Sequence, residues 1–433
     1  MYREAIKELV KWKDSKRRKP LIIEGARQVG KTWLVKEFAT LYYQQLVYIN
    51  FEDNIILRNL FKNDLNINRI ILEIEAYYSI KITPENTLIF FDEIQEADNG
   101  LTVLKYFYEN APEINLIAAG SLLGIMLHKK ESFPVGKVNF LTLYPMNFME
   151  FLYANGEERI AKLIKDELWE SLEILSTRLI LLLKQYIYVG GMPEVVKNFI
   201  ETHDWQTVRE NQKEILTSYR EDFSKHAPKE MVARIMQVWD SLPAQLSKEN
   251  KKFIYGVVRE GSRAKDFELA IQWLEDCGLI HKVYNVRVPH LPLEAYKEIA
   301  IFKIYSNDIG LLGAMCDLHS RTIVEGNEVF KEFKGALTEQ FAFQQLLQNN
   351  KLYYYSKSNS QQEIDFLIQK EGEIVPIEVK AGINLQAKSL RQFVKDNGSK
   401  IAYRLSLAPY SKEEWVTNLP LYCVSTINSN HEA

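Results

Sequence analysis

At 433 residues the chain is too long for one core at roughly 150 residues per domain, so several domains are expected. Hydrophobic residues at 46% and charged residues at 26%, with only 13 prolines and 19 glycines, exclude a low-complexity or collagen-like polypeptide. The 54 basic and 57 acidic side chains leave a formal charge of −3, which excludes a wholly basic nucleic-acid coat and requires any anion-binding surface to be local.

The chain opens on Met1-Tyr2-Arg3-Glu4, with no apolar leader, and then places Ile6, Leu9 and Val10 at helical spacing. Lys11, Lys13, Lys16, Arg17, Arg18 and Lys19 follow, so residues 1–18 read as an amphipathic helix with a basic end. Two uses fit those cations: complementing the negative end of the helix dipole, or touching a phosphate backbone. The longest apolar stretch, Leu179 to Leu183, stops at Lys184, far short of the ~20 residues of a membrane span. Cys277, Cys316 and Cys423 are odd in number and widely separated, which argues against a disulfide framework and a metal knuckle. A soluble cytoplasmic protein is the expectation. The histidines, His128, His203 and His226 among them, show no zinc-enzyme spacing.

Between Lys19 and about Leu143, Leu21-Ile22-Ile23, Leu46 to Ile49, Leu88 to Phe91 and Leu116 to Ala118 alternate with helical stretches. These near-continuous apolar runs are what parallel strands covered on both faces require, which predicts an α/β sheet. Gly25-Ala26-Arg27-Gln28-Val29-Gly30-Lys31-Thr32 follows the first strand and opens a helix at Trp33, matching GxxxxGKT in the context it needs. Glycines let successive N–H groups converge on an anion, and the helix N-terminus adds partial positive charge. In that arrangement Lys31 holds the β- and γ-phosphates and Thr32 ligates Mg²⁺. The run Leu88 to Phe91 ends in Asp92-Glu93, two acids at the carboxyl edge of a buried strand. There Asp92 can hold magnesium through water and Glu93 can polarise the attacking water. The strand ending at Ala119 leads into Gly120-Ser121, where Ser121 either senses the γ-phosphate and orients the water or belongs to an ordinary turn.

Together, GARQVGKT, FFDEIQ, AAGSLLGI, the segment from Pro134-Val135-Gly136-Lys137 through Pro145-Met146 to Leu152, and Tyr188 to Pro193 resemble a prokaryotic family of AAA-type ATPases with a C-terminal domain of unknown function. The resemblance spans nearly the whole chain. It implies ATP and Mg²⁺ as ligands, with Gly25 to Trp33 cradling the nucleotide, Thr32 and Asp92 at the metal, and Lys31, Glu93 and Ser121 in hydrolysis, Ser121 in the sensor position. The chain departs from the family in having Lys137 where many relatives have arginine, and an ammonium stabilises phosphoryl charge differently from a guanidinium.

Residues Lys252 to Val288 read as a winged helix: a helix over Ile254 to Val258, a turn at Glu260-Gly261-Ser262, a helix from Ala264 to Asp276, and a wing entered at Gly278. Arg259, Arg263 and Lys265 are the nearby cations, while the second helix is acidic, so DNA contact and plain packing both remain open.

Near the C-terminus, Glu363 to Ile368 and Ile374 to Lys380 read as strands of a hairpin turning at Glu371-Gly372, which sets Asp365 across from Glu378. Lys380 falls on the same face. The pattern resembles the D…ExK core of the PD-(D/E)XK nuclease-like superfamily, in which the acids bind Mg²⁺ and the lysine helps activate water. Glu339, on a helix from Ala336 to Leu347, matches that superfamily's helical glutamate, and Gln392 a residue of some branches. Phosphodiester cleavage and a non-cleaving binding or structural use both stay open.

The expected organisation is an N-terminal helix (1–18), a P-loop ATPase domain (19–190), a helical and winged-helix region (191–300) and an α+β restriction-nuclease-like domain (301–433). The expected function is Mg²⁺-dependent ATP hydrolysis coupled to a nuclease-like domain that contacts DNA; the alternative is a nucleotide-dependent docking protein. DNA and further copies of the chain are the candidate macromolecular partners, and no membrane is expected.

Overall fold

The computed structural model describes residues 1–121, 136–246, 252–321, 331–357 and 362–428, with side chains of 331–333 excepted. Leu122 to Ile125 of AAGSLLGI, His128, Pro134 and Val135 lie outside the described residues. The chain divides into two compact units: one holds Tyr2–Tyr144 with Asp276–Leu279, the other Pro145–Glu275 with Ile280–Ala433. The boundaries expected at 190 and 300 both lie within the second of these units. Among the described residues no helix is long and apolar enough to cross a membrane.

In the first unit α1 (Ala5–Asp14) precedes β1 (Leu21–Glu24), and α2 (Lys31–Tyr42) follows it. With β2 (Gln45–Asn50), β3 (Thr87–Asp92), β4 (Asn115–Ala119) and β5 (Asn139–Thr142), β1 forms a five-stranded sheet in the order β2-β3-β4-β1-β5. Every pairing is parallel, as the apolar runs require. Ile22, Ile49, Ile89, Phe91 and Leu116 from the strands share one buried cluster with Leu101, Leu104 and Phe107. Phe91 is ringed by Phe51, Phe61 and Phe107 at centroid distances of 5.5, 5.6 and 5.9 Å. Burying such a ring stabilises by about 1.5–3 kcal/mol, and here it fixes the strand end from which Asp92 and Glu93 emerge.

The second unit begins with helices, from Phe148–Ala154 to Val232–Leu246, and continues into an eight-stranded mixed sheet. Its strands are β6 (Ile280–Val286), β7 (Lys297–Ser306), β8 (Tyr353–Ser356), β9 (Glu363–Lys370), β10 (Glu373–Val379), β11 (Tyr403–Ser406), β12 (Ser411–Lys412) and β13 (Thr417–Pro420), ordered β12-β13-β11-β10-β9-β8-β6-β7. The hairpin register is the expected one from Glu373 opposite Lys370 to Ile377 opposite Phe366, and the paired ladder stops one position short of Asp365 and Glu378. Its turn residues Glu371 and Gly372 have φ of 51° and 78°, the paired positive angles of a tight turn that follows the strand twist.

The winged-helix elements form as helices Tyr255–Val258 and Ala264–Asp276 and the antiparallel ribbon β6–β7. The ribbon is not a free wing. Tyr284 of β6 pairs in parallel with Tyr353 of β8, so the ribbon is the edge of the eight-stranded sheet. The boundary expected at 300 falls inside β7, because both sides of it share one hydrogen-bonded ladder.

Candidate functional site

Beyond Glu24 the chain folds back into α2 through backbone that few residues tolerate. Gly25, Gln28 and Gly30 have φ of 138°, 67° and 93°. A Cβ on Gly25 would stand 2.2 Å from the carbonyl oxygen of Leu143, so that position excludes every other residue. Gly30 caps α2, and Lys31 begins it. The buried Lys31 side chain curls over its own loop, Nζ donating to the carbonyls of Gly25 and Ala26 at 2.8 Å each. Val29 is buried and its carbonyl accepts from Nη1 of Arg3 at 3.0 Å; Trp33 is exposed.

The acids arrive where the strands place them. Thr32 Oγ1 donates to Asp92 Oδ2 at 2.7 Å, and the Tyr48 hydroxyl donates to the same oxygen at 3.1 Å. Glu93 takes left-handed backbone, φ 49°, which turns its side chain out of the strand's alternation. Its Oε2 accepts from Gln95 Nε2 at 2.6 Å and from both the amide and the hydroxyl of Ser121 at 3.3 Å. Ser121 thus touches Glu93 itself. Burial pushes the Lys31 pKa down to about 8 against the pull of Glu93 and Asp92. Burial also raises the pKa of Asp92, opposed by the Thr32 hydrogen bond, reinforced by the charge of Glu93 and opposed again by Tyr48. A hydroxyl and a carboxylate in contact beside a buried ammonium are the hard-oxygen donors and the cation that a magnesium-bound triphosphate needs.

Four neighbours here escape the motif reading. Arg3 also donates to the Tyr144 carbonyl, at 2.6 Å, so a cation from the N-terminal helix region braces the loop from behind. Tyr48 and Gln95 hold the two acids. Gly278, φ 70°, lies so close that an added Cβ would be 3.2 Å from the amide nitrogen of Ala26. Only Gln95, two residues beyond Glu93, is near enough in sequence to have been found from the motif. Lys137 pairs with Glu109 at 3.2 Å and faces the Tyr108 ring at 5.3 Å.

The C-terminal candidates assemble only in part. Lys380 Nζ meets Glu378 Oε1 at 2.5 Å, while Glu378 Oε2 is buried without a hydrogen-bond partner. Asp365 Oδ2 accepts the amide of Val379 at 2.7 Å. Glu339 is held by a buried lysine and a tyrosine: its Oε1 accepts from Tyr305 and lies 3.2 Å from Lys303 Nζ, which also donates to Glu363 Oε1 at 2.6 Å. Lys303 is fully buried. Burial lowers its pKa, but the charges of Glu339, Glu363 and Asp365 outweigh burial and raise it overall. Among the described residues no three His, Cys, Asp or Glu side chains form a metal-holding group. Gln392 is exposed and donates to Asp396 at 2.6 Å. Lys303, missed from sequence, has one signal there: a lysine inside the otherwise apolar run Ile301 to Tyr305.

The helix Ala264–Asp276 buries Phe267, Ala270, Ile271, Trp273 and Leu274. Of its acids Glu275 is paired with Lys282 at 2.8 Å, and of the nearby cations Arg259 lies over Phe267 at 5.8 Å. One face of the helix is thus packed, while Arg263, Lys265, Glu268 and Leu269 stay exposed.

No curated protein matches the sequence significantly. Among solved structures, the Walker-type ATPase PABY2304 of Pyrococcus abyssi is 16% identical, with 73% of this chain and 95% of that one covered and a TM-score of 0.44. The Aeropyrum pernix ORC1 protein, solved in complex with DNA, is 10% identical over 73% and 93% of the two chains, TM-score 0.29. Cdc6p from Pyrobaculum aerophilum is 12% identical over 74% and 94%, TM-score 0.26. Residues 180–322 and 334–424 match two family models described as domains of unknown function. Residues 17–152, which carry the parallel sheet, the phosphate-type loop and the acid pair, match the model described as an AAA domain, in keeping with a P-loop NTPase-like fold for this segment.

Proposed function

We propose that the chain is an ATPase that binds ATP with magnesium at residues 25–33 and hydrolyses it. The observation that carries this reading is the unbroken line of contacts from Thr32 through Asp92 and Glu93 to Ser121, beside the buried ammonium of Lys31. Magnesium, when bound, would draw charge from the phosphate oxygens. Thr32 and Asp92, now hydrogen-bonded to each other, would hold it. Lys31 would exchange the carbonyls of Gly25 and Ala26 for phosphate oxygens. Glu93, held by Gln95, would accept a proton from the attacking water, and the Ser121 hydroxyl would keep that carboxylate aimed.

Phosphate release from ATP tests this directly. Lys31→Ala and Glu93→Gln should each lower turnover by roughly 10²-fold or more, with nucleotide still bound by Glu93→Gln. Unchanged release in both variants would reject the assignment.

For the C-terminal carboxylates, a docking or structural use is favoured over phosphodiester cleavage. The specific observation is Lys303, whose buried ammonium already supplies positive charge to Glu339 and Glu363.

A further inference from the structure

The helix α1 explains only part of the basic segment that follows it. The helix ends at Asp14, and only Lys11 and Lys13 lie in its last turn. A helix dipole acts within about one turn of its end; Arg18 serves it by donating to the Lys13 carbonyl and lying over the Trp12 ring at 5.7 Å, while Lys16 and Arg17 make no such contact among the described residues. Lys16, Arg17, Arg18 and Lys19 line, with Ser15, Tyr108 and Pro112, a cavity of about 650 Å³ on the first unit. Two of the four have structural partners: Arg18 donates to the carbonyls of Lys13 at 3.2 Å and Glu113 at 2.9 Å, and Lys19 to that of Gly136 at 2.6 Å. Arg18 nonetheless keeps a buried Nε–H with no acceptor. Lys16 and Arg17 are exposed, and no side-chain partner for either exists among the described residues. Lys13 stands nearby over the Tyr43 ring at 5.5 Å, and the Lys19 and Lys137 ammoniums approach the Tyr108 ring at 5.7 and 5.3 Å. The acids of this surface are Asp14, Glu109 and Glu113, of which Glu109 is occupied by Lys137.

We propose that this cavity is a nucleic-acid contact, in which Lys16 and Arg17 neutralise phosphates and Tyr108 forms an aromatic wall for a sugar or base. Cations grouped around an aromatic ring are the combination that tracks a polynucleotide backbone. A lipid surface fits less well. No large apolar side chain lining the cavity is among the strongly exposed ones, and membrane-surface segments present such residues for insertion. In a chain of net charge −3, attraction to polyanions has to come from such a local surface.

The inference does not depend on ATP turnover, and it is tested on the full chain without nucleotide. Fluorescence anisotropy with labelled single-stranded and duplex oligonucleotides should detect binding at about 50 mM salt that weakens steeply as salt rises. The double variant Lys16→Ala/Arg17→Ala should bind about tenfold more weakly, and the log-affinity against log-salt slope should fall by roughly 1.5, the loss of two phosphate contacts. The control Lys388→Ala/Lys395→Ala, an exposed pair on the helix Lys388–Asn397, should bind like the parent. ATP hydrolysis without nucleic acid should be unchanged in both. Equal affinity and slope for parent and Lys16→Ala/Arg17→Ala would overturn the proposal, as would the absence of oligonucleotide binding. Association with phosphatidylcholine–phosphatidylserine vesicles in place of oligonucleotides would overturn it too.

Discussion

Replacing Lys303 by methionine keeps the stem of the side chain and deletes the ammonium that stands between Glu339 and Glu363. Its side chain is 1% exposed and that of Glu339 5%, so after the substitution Glu339 is a buried carboxylate without its cation, whereas Glu363, at 27%, can regain water. Breaking a buried pair from one side costs about 3–5 kcal/mol, and the partial exposure of Glu363 points to the lower end. At 1.36 kcal/mol per decade, about 3 kcal/mol corresponds to a 100- to 200-fold change in a local opening equilibrium. Amide hydrogen exchange in helix Lys331–Leu347 and in β9 should accelerate by that factor, and Lys303→Met/Glu339→Gln should recover most of the loss because neither charge remains. The pKa of Lys303 is raised on folding, so its stabilisation is fully present below the unfolded value of about 10.4 and is lost only as pH climbs through the still higher folded value. Protection should therefore hold between about pH 7 and pH 9. Exchange in Lys303→Met within about fivefold of the parent would show that the ammonium does not balance these carboxylates.

Gly25→Ala should abolish nucleotide binding in calorimetry while the C-terminal unit stays folded by hydrogen exchange, because the new Cβ meets the Leu143 carbonyl at 2.2 Å on backbone of φ 138°. Lys31, held down at about 8 by burial, should lose its proton in the free protein as pH rises through that value, so affinity for ATP should fall between about pH 7 and pH 9, and Lys31→Arg should flatten that fall. The same lowered pKa gives the reverse of the usual lysine contribution to stability: the cost of burying the charge is present at low pH and is relieved between about pH 8 and pH 10.4, which urea titration of Lys31→Met against the parent would read.

The first unit was legible because each of its signals is local. Strands β1 to β4 announce themselves as apolar runs, the loop by the spacing of Gly25, Gly30, Lys31 and Thr32, and the acids by following Phe91 directly. The hairpin register was equally local, since Glu371-Gly372 fixes which residues oppose one another. What escaped was pairing between distant segments. The β6–β7 ribbon reads as a wing until β8, some seventy residues from β6, is found beside it, and alternation alone does not name that partner. Lys303 escaped for the same reason: its partners Glu339 and Glu363 lie 36 and 60 residues away.

Two acid clusters that look alike as sequence differ in what answers their charge. Asp92 and Glu93 are hydrogen-bonded by neutral donors, the hydroxyls of Thr32, Tyr48 and Ser121 and the amide of Gln95, with the Lys31 ammonium acting on them through its charge. Such partners reorient or share when a cation arrives, each net hydrogen bond to a carboxylate being worth about 1.5–3 kcal/mol. Glu339 and Glu363 are met by an ammonium that is covalently part of the fold and fully buried. A divalent ion entering there would have to displace or repel a resident charge in a poorly screened interior, where like charges interact strongly. The spacing of carboxylates along a chain therefore does not separate a metal site from a structural one. What the lysine donates to differs between the two: Lys303 gives its N–H groups directly to Glu339 and Glu363, whereas the equally covalent Lys31 gives its own to the carbonyls of Gly25 and Ala26 and leaves the neighbouring carboxylates to neutral donors.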